Sequence, residues 1–91
     1  MRIKVLGKYW SLSFPPNLGD NHGDCAEPKA TGKRIRVHGG LRGRDLTETV
    51  VHEMLHAAGW HLTEEYVTQF AADVARVLHH PEIVRRAHGE K

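Results

Sequence analysis

The chain has 91 residues, 40% of them hydrophobic and 26% charged, which fits one small globular domain over residues 1–91 and excludes a disordered, charge-dominated chain. A net charge of +2 is too small to argue for nucleic acid unless Lys and Arg cluster. Cys25 is the only cysteine, which excludes an internal disulfide, and no stretch nears the roughly 18–20 apolar residues of a membrane span.

Residues 2–6 and 9–14 each alternate polar and apolar, the strand period of two, with Trp10, Leu12 and Phe14 on one face. Gly7-Lys8 between them predicts a two-residue hairpin loop. Pro15-Pro16 ends the second strand because neither proline can donate to a ladder. Residues 15–32, rich in Gly, Pro and Asx, are expected to be a loop, long for so small a domain and therefore of functional interest. Within it, Cys25 is expected to be a small buried anchor and His22 a solvated residue. Residues 33–38 alternate a third time, with Ile35 and Val37 inward and Lys33, Arg34 and Arg36 as the charges of an edge strand.

A first helix is expected to begin at or within two residues of Asp45, as its cap, and to leave through a left-handed Gly59. Thr63 caps a second helix over 64–79, whose apolar positions are Val67, Phe70, Ala71, Val74, Val77 and Leu78. Pro81 either ends the second helix or opens a short terminal one to His88, and residues 87–91 are expected to fray. His79, His80 and His88 read as surface residues. The fold class is therefore α+β: a three-stranded antiparallel sheet packed on the first helix and on a second, C-terminal one. Met1–Lys8 hold no apolar run of signal-peptide length, so a cytoplasmic setting is expected.

The first helix carries His52-Glu53-Met54-Leu55-His56, the pattern H-E-x-x-H, in a run of uncharged, buriable neighbours. Positions i and i+4 of a helix differ by roughly 40° in azimuth, so His52 and His56 can present two imidazole nitrogens to one Zn²⁺. Glu53, about 100° round, is placed to act as a general base on a water at the metal. With eight histidines in the chain a chance match has to be weighed, but chance does not account for the buriable flanks.

If the second helix supplies a third ligand, the choice is between the adjacent Glu64 and Glu65. Counting about 100° per residue, the apolar face predicted for the second helix centres roughly 75° from Glu64 and about 175° from Glu65. Glu64 is therefore expected to reach the metal, with Glu65 as the alternative and Thr68, one turn on, hydrogen-bonding a ligand. His61 and Tyr66 are the candidates for stabilising an oxyanion.

Thr49 through Ala58 resembles the longer signature of the zincin metallopeptidases. The whole chain also resembles short, uncharacterised gluzincin-like metallopeptidases of bacteria and phages, with Gly23-Asp24-Cys25 and Glu64-Glu65 in the corresponding places. Metzincins would need a third histidine at position 62, which is Leu62 here, with His61 one residue early. The resemblance implies a minimal zincin core with one zinc per chain. It also implies a zinc-dependent peptidase acting on a peptide or protein substrate, with an edge strand, here expected at 33–38, aligning it. Two alternatives stand beside it. One is a metal-stabilised binding or regulatory module without turnover. The other is a SprT-like DNA-associated protease, for which Arg34, Arg36, Arg42 and Arg44 would supply the contacts. Oligomeric state and substrate stay open at this level.

Overall fold

Seven elements follow one another in the computed structural model, which describes residues 1–89: β1 (Arg2–Val5), β2 (Lys8–Ser13), β3 (Gly23–Cys25), β4 (Arg34–Val37), α1 (Gly43–Ala58), α2 (Glu64–Leu78) and α3 (Pro81–Ala87). The α+β class holds, but the sheet has four strands and is mixed rather than three-stranded and antiparallel. Its order is β1-β2-β4-β3, with β1–β2 and β3–β4 antiparallel and β2–β4 parallel.

Two expectations about the sheet are corrected. Gly23–Cys25, expected inside a loop, pairs with β4 through Gly23↔Val37, Asp24↔Arg36 and Cys25↔Ile35. Three residues containing Gly and Asp carry neither the length nor the β-branched side chains that mark a strand in sequence. As a result β4 is an inner strand, and β3, not 33–38, is the edge on that side. The charges on β4 have a different role from edge protection: Arg36 forks onto the Asp24 carboxylate of its neighbour, with Nε donating to Oδ1 at 2.9 Å and Nη2 to Oδ2.

The β1–β2 hairpin forms, but Val5 pairs with Lys8, so its loop is Leu6-Gly7 and not Gly7-Lys8. Both loop residues have positive φ, 49° at Leu6 and 79° at Gly7, as a turn matching the strand twist requires. Leucine in this region costs about 1–2 kcal/mol against its ordinary conformations.

The core lies between the inner face of the sheet and α1. Val5, Trp10, Leu12, Ile35 and Val37 close over Ala57, with Leu46, Val50 and Met54 of α1 at the border. Ile35 and Val37 are fully buried, each worth roughly 1.5–3 kcal/mol relative to exposure. Phe14, expected inward with Trp10 and Leu12, is 44% exposed because β2 ends at Ser13 and the chain turns away.

The helices start and stop nearly where expected. α1 begins at Gly43, so Asp45 lies inside its first turn, where its charge favours the positive helix end, and is not the cap. Gly59 does not leave in the left-handed region (φ −143°); a Cβ there would stand 2.8 Å from Leu62 Cδ1, so the glycine serves close packing. Thr63 caps α2 as expected, its Oγ1 accepting from Tyr66 N–H at 3.1 Å. His80 caps α3 by accepting from Glu82 N–H at 3.1 Å, and His79 Nε2 meets Thr47 Oγ1 at 2.6 Å across α1 and α2. The fraying expected over 87–91 falls partly on residues 90–91, outside the described residues. Among the described residues no helix is long and apolar enough to cross a membrane.

α2 packs on the other side of α1 through Val67, Ala71 and Ala75, all fully buried. This face is narrower and differently phased than expected, since Phe70, Val77 and Leu78 stay 45–56% exposed. Alanines at 71 and 75 let the two helices approach closely. Ala71→Leu should therefore cost about 1–3 kcal/mol in urea denaturation by overpacking. It should also move Glu64, which α2 carries, away from His52 and His56.

Candidate metal centre

Each turn of α1 from Thr49 to Ala57 has two jobs. Thr49, Glu53 and Ala57, at i, i+4 and i+8, form its buried stripe. His52 and His56, one residue before Glu53 and Ala57, are turned toward α2 and stay about one-fifth exposed. The helical period therefore separates a stripe on the sheet side from a ligand pair on the α2 side.

Glu64 closes the group. Its Oε1 is 2.7 Å from His52 Nε2, its Oε2 is 3.0 Å from His56 Nε2, and the two Nε2 atoms are 3.2 Å apart. Two ligand atoms of a tetrahedral zinc with bonds of about 2.0–2.1 Å sit about 3.3 Å apart. The histidine pair already matches that spacing, and the carboxylate needs a shift of only a few tenths of an ångström on a flexible side chain. His52, His56 and Glu64 together form a group that could hold a metal ion.

The phase of α2 explains why Glu64 is in this group and Glu65 is not. The fully buried positions centre about 20° from Glu64 and about 120° from Glu65 on the helical wheel. Glu64 thus heads the stripe that continues through Val67, Ala71 and Ala75, more squarely than the sequence pattern implied.

Glu53 is 7% exposed, and among the described residues its carboxylate has no hydrogen bond or salt bridge, its oxygens being open to solvent rather than sealed in. It lines a cavity of about 450 Å³ together with Cys25, His56, Trp60, Leu62 and Glu64. Burial, reinforced by the nearby Asp24 and Glu64 charges, pushes its pKa up to about 7. A carboxyl in that range is suited to exchanging protons near neutral pH. Gly23 makes room for it: a Cβ on Gly23 would lie 3.1 Å from Glu53 Cγ and 2.9 Å from Arg36 O.

Asp24 is held below the usual carboxylate range by its hydrogen bond from Arg36, so that pair keeps its charges. Cys25 is half-buried on β3 and borders the core as expected, but it also faces the cavity. Burial first, then the Glu53 and Asp24 charges, push its thiol up to about 12, and Sγ donates to Ala26 O at 3.3 Å.

Three assignments made from sequence do not come together here. Thr68 is exposed and makes no hydrogen bond to the ligand group, because it points off the α1-facing stripe. Tyr66 is 53% exposed and stacks on Phe70, ring centroids 6.0 Å apart, outside the cavity. His61 is exposed and does not line the cavity either; the nearby aromatic that does is Trp60, edge-on to His56 at 6.1 Å. His22 is solvated as expected. Trp60 had no signal in the motif beyond following Gly59.

Glu64→Gln should lower zinc affinity by at least about a hundredfold, beyond what loss of a ligand's supporting group costs, whereas Glu65→Gln should leave it nearly unchanged. Competition with a chromophoric chelator reads both, with His52→Ala and His56→Ala as further losses. A second outcome concerns the metal-free protein. The folded-state pKa of Glu53 lies above its unfolded value of 4.5, so its contribution is most favourable below pH 4.5 and is lost as pH rises through about 7. Urea denaturation should therefore find metal-free Glu53→Gln more stable than the parent at pH 8, by about 3 kcal/mol, with the difference nearly gone at pH 4.5.

Comparison with protein families, with curated proteins and with solved structures finds no match. The chemistry therefore has to be read from the His52, His56 and Glu64 group and the cavity beside it.

Proposed function

We propose that the protein is a zinc-dependent peptidase, with His52, His56 and Glu64 as the metal ligands and Glu53 as the general base. One observation carries this: a buried carboxylate without a protein partner opens into the same cavity as a three-ligand group. A purely structural zinc site is closed by four protein ligands and has no use for such a carboxylate. Among the described residues the group stops at three, and the Cys25 thiol beside it is not part of it.

A zinc ion held there would polarise a substrate carbonyl and make a water it holds easier to deprotonate. Glu53 accepts that proton in the buried cavity and returns it to the leaving amine. Gly23 and Glu53 are in close approach, so the strand bordering the cavity fixes where Glu53 can point.

The edge strand suited to aligning a peptide is β3. His38 N–H donates to His22 O and Ala26 N–H to Arg34 O, so the alternation of an antiparallel ladder turns Asp24 toward β4 and the N–H and C=O of Gly23 and Cys25 outward. Those outward groups can pair with an extended backbone beside Glu53. For the DNA-associated alternative the charges are less available: Arg36 is committed to Asp24, and Arg42 donates to Gly39 O and Leu41 O.

Glu53→Gln should keep stoichiometric zinc and lower peptide hydrolysis by about 10²–10⁴-fold, as loss of a general base does. Mass spectrometry of a mixed peptide pool incubated with zinc-loaded parent and variant reads this, with elemental analysis of both. A variant as active as the parent would remove Glu53 from the role.

A further inference from the structure

On the far side of Trp60 from the metal centre is a second cavity, of about 260 Å³, between the tip of the β1–β2 hairpin and the C-terminal end of α1. Trp60 lines both cavities, so the two adjoin through its indole. The volume is below the roughly 300–1,000 Å³ of pockets that take a whole small ligand, and suits one large side chain. Its walls include Leu6, Trp10, Pro28 and Trp60, with Lys8 and Lys33 among them.

Two further features mark it as a binding surface. Leu6 is 80% exposed and sits at φ 49°, a combination that neither burial nor turn preference explains, since Asn or Asp suits that position better. Strain kept in an exposed apolar residue at a cavity mouth points toward function. In addition, neither Lys8 nor Lys33 has a carboxylate within salt-bridge distance among the described residues, although Lys33 is half-buried.

We infer that this cavity is a subsite for a peptide segment in which a large apolar side chain stands next to an acidic residue. The apolar side chain enters between Leu6 and the two indoles, and the neighbouring carboxylate pairs with Lys8 and Lys33. That the bound segment is a substrate rests on the peptidase assignment; that it binds does not. The order of features along the chain agrees, because the chain leaves β3 at Cys25, which lines the first cavity, and reaches Pro28 at this one three residues later. A peptide extended along β3 would run from one to the other.

The test uses three blocked peptides, acetyl-Ala-Phe-Asp-amide, acetyl-Ala-Phe-Lys-amide and acetyl-Ala-Ala-Asp-amide, titrated into the full chain carrying Glu53→Gln with zinc added. Trp10 and Trp60 are the only tryptophans and both line the cavity, so intrinsic fluorescence reads binding at this cavity or, through Trp60, at the adjoining one. Backbone amide shifts of Leu6–Lys8 locate the contact. The Phe-Asp peptide should bind at least tenfold more tightly than either of the others. Lys8→Glu with Lys33→Glu should invert the preference toward Phe-Lys. Leu6→Asn should raise the melting temperature, because asparagine tolerates the turn, and yet weaken Phe-Asp binding about tenfold. Equal binding of all three peptides, or shifts confined to other residues, would overturn the subsite. A parallel cleavage assay with the zinc-loaded parent separates the two claims. Selective binding without cleavage keeps the subsite and removes the peptidase, whereas cleavage with no preference for the Phe-Asp sequence keeps the peptidase and removes the subsite.

Discussion

The contact between α1 and α2 through Val67, Ala71 and Ala75 is the constraint on which the grouping of His52, His56 and Glu64 depends. His52 and His56 come from one helix and need only its period. Glu64 belongs to another element, and its carboxylate arrives because the first turn of α2 is pressed against the right turn of α1. Its side chain is 68% exposed, so burial does not hold it there. Its position is inherited from the stripe it heads, in which two alanines set the distance between helices. The short connection from Gly59 to Thr63 assists: Gly59 admits Leu62 at contact distance, and Thr63 stops the chain in a capped start.

On the other side of α1 the same logic places Glu53. The stripe Thr49, Glu53, Ala57 must be buried against the sheet, yet its middle member is a carboxylate. Burying such a group without a partner is costly, which is why its pKa rises. The fold accommodates it through glycine at position 23 and by leaving its oxygens on a cavity. A buried, unpartnered carboxylate that stability alone would disfavour is the kind of local conflict expected at a working site.

How much of this could be read from sequence varied by element. α2 with its Thr63 cap, the inward Ile35 and Val37, and the pairing of Glu64 with the two histidines follow from period and capping, which are local rules. The missing strand is a different matter. Gly23–Cys25 is strand only because β4 offers a partner and Asp24 finds Arg36, and both partners are ten or more residues away. Without β3, residues 33–38 look like an edge. The hairpin loop was misplaced by one residue because Leu6 is a poor choice for a left-handed position, and turn preference favoured the next pair. The phase of α2 was displaced because Phe70 and Val77 were counted as core; a hydrophobic residue in sequence does not declare which of two apolar faces is covered.

Charge balance ties the sheet to the helices. Glu53 and Glu64 line the cavity, and a third carboxylate, that of Asp24 on β3, is near enough for its charge to act on Glu53. Arg36 answers one of them, since its two-pronged contact holds Asp24 ionised on β3. Glu53 has no such partner, and the Glu64 charge adds to burial in raising its pKa. A dication at His52, His56 and Glu64 would relieve that repulsion as well as filling the ligand set. Metal binding and folding stability are then linked, since anything bound to the native state alone stabilises it. The same ion would lower the pKa of Glu53 from its metal-free position near 7, leaving it ionised and ready to accept a proton. The features that make the metal-free site unfavourable are thus the ones that a divalent ion would put to use.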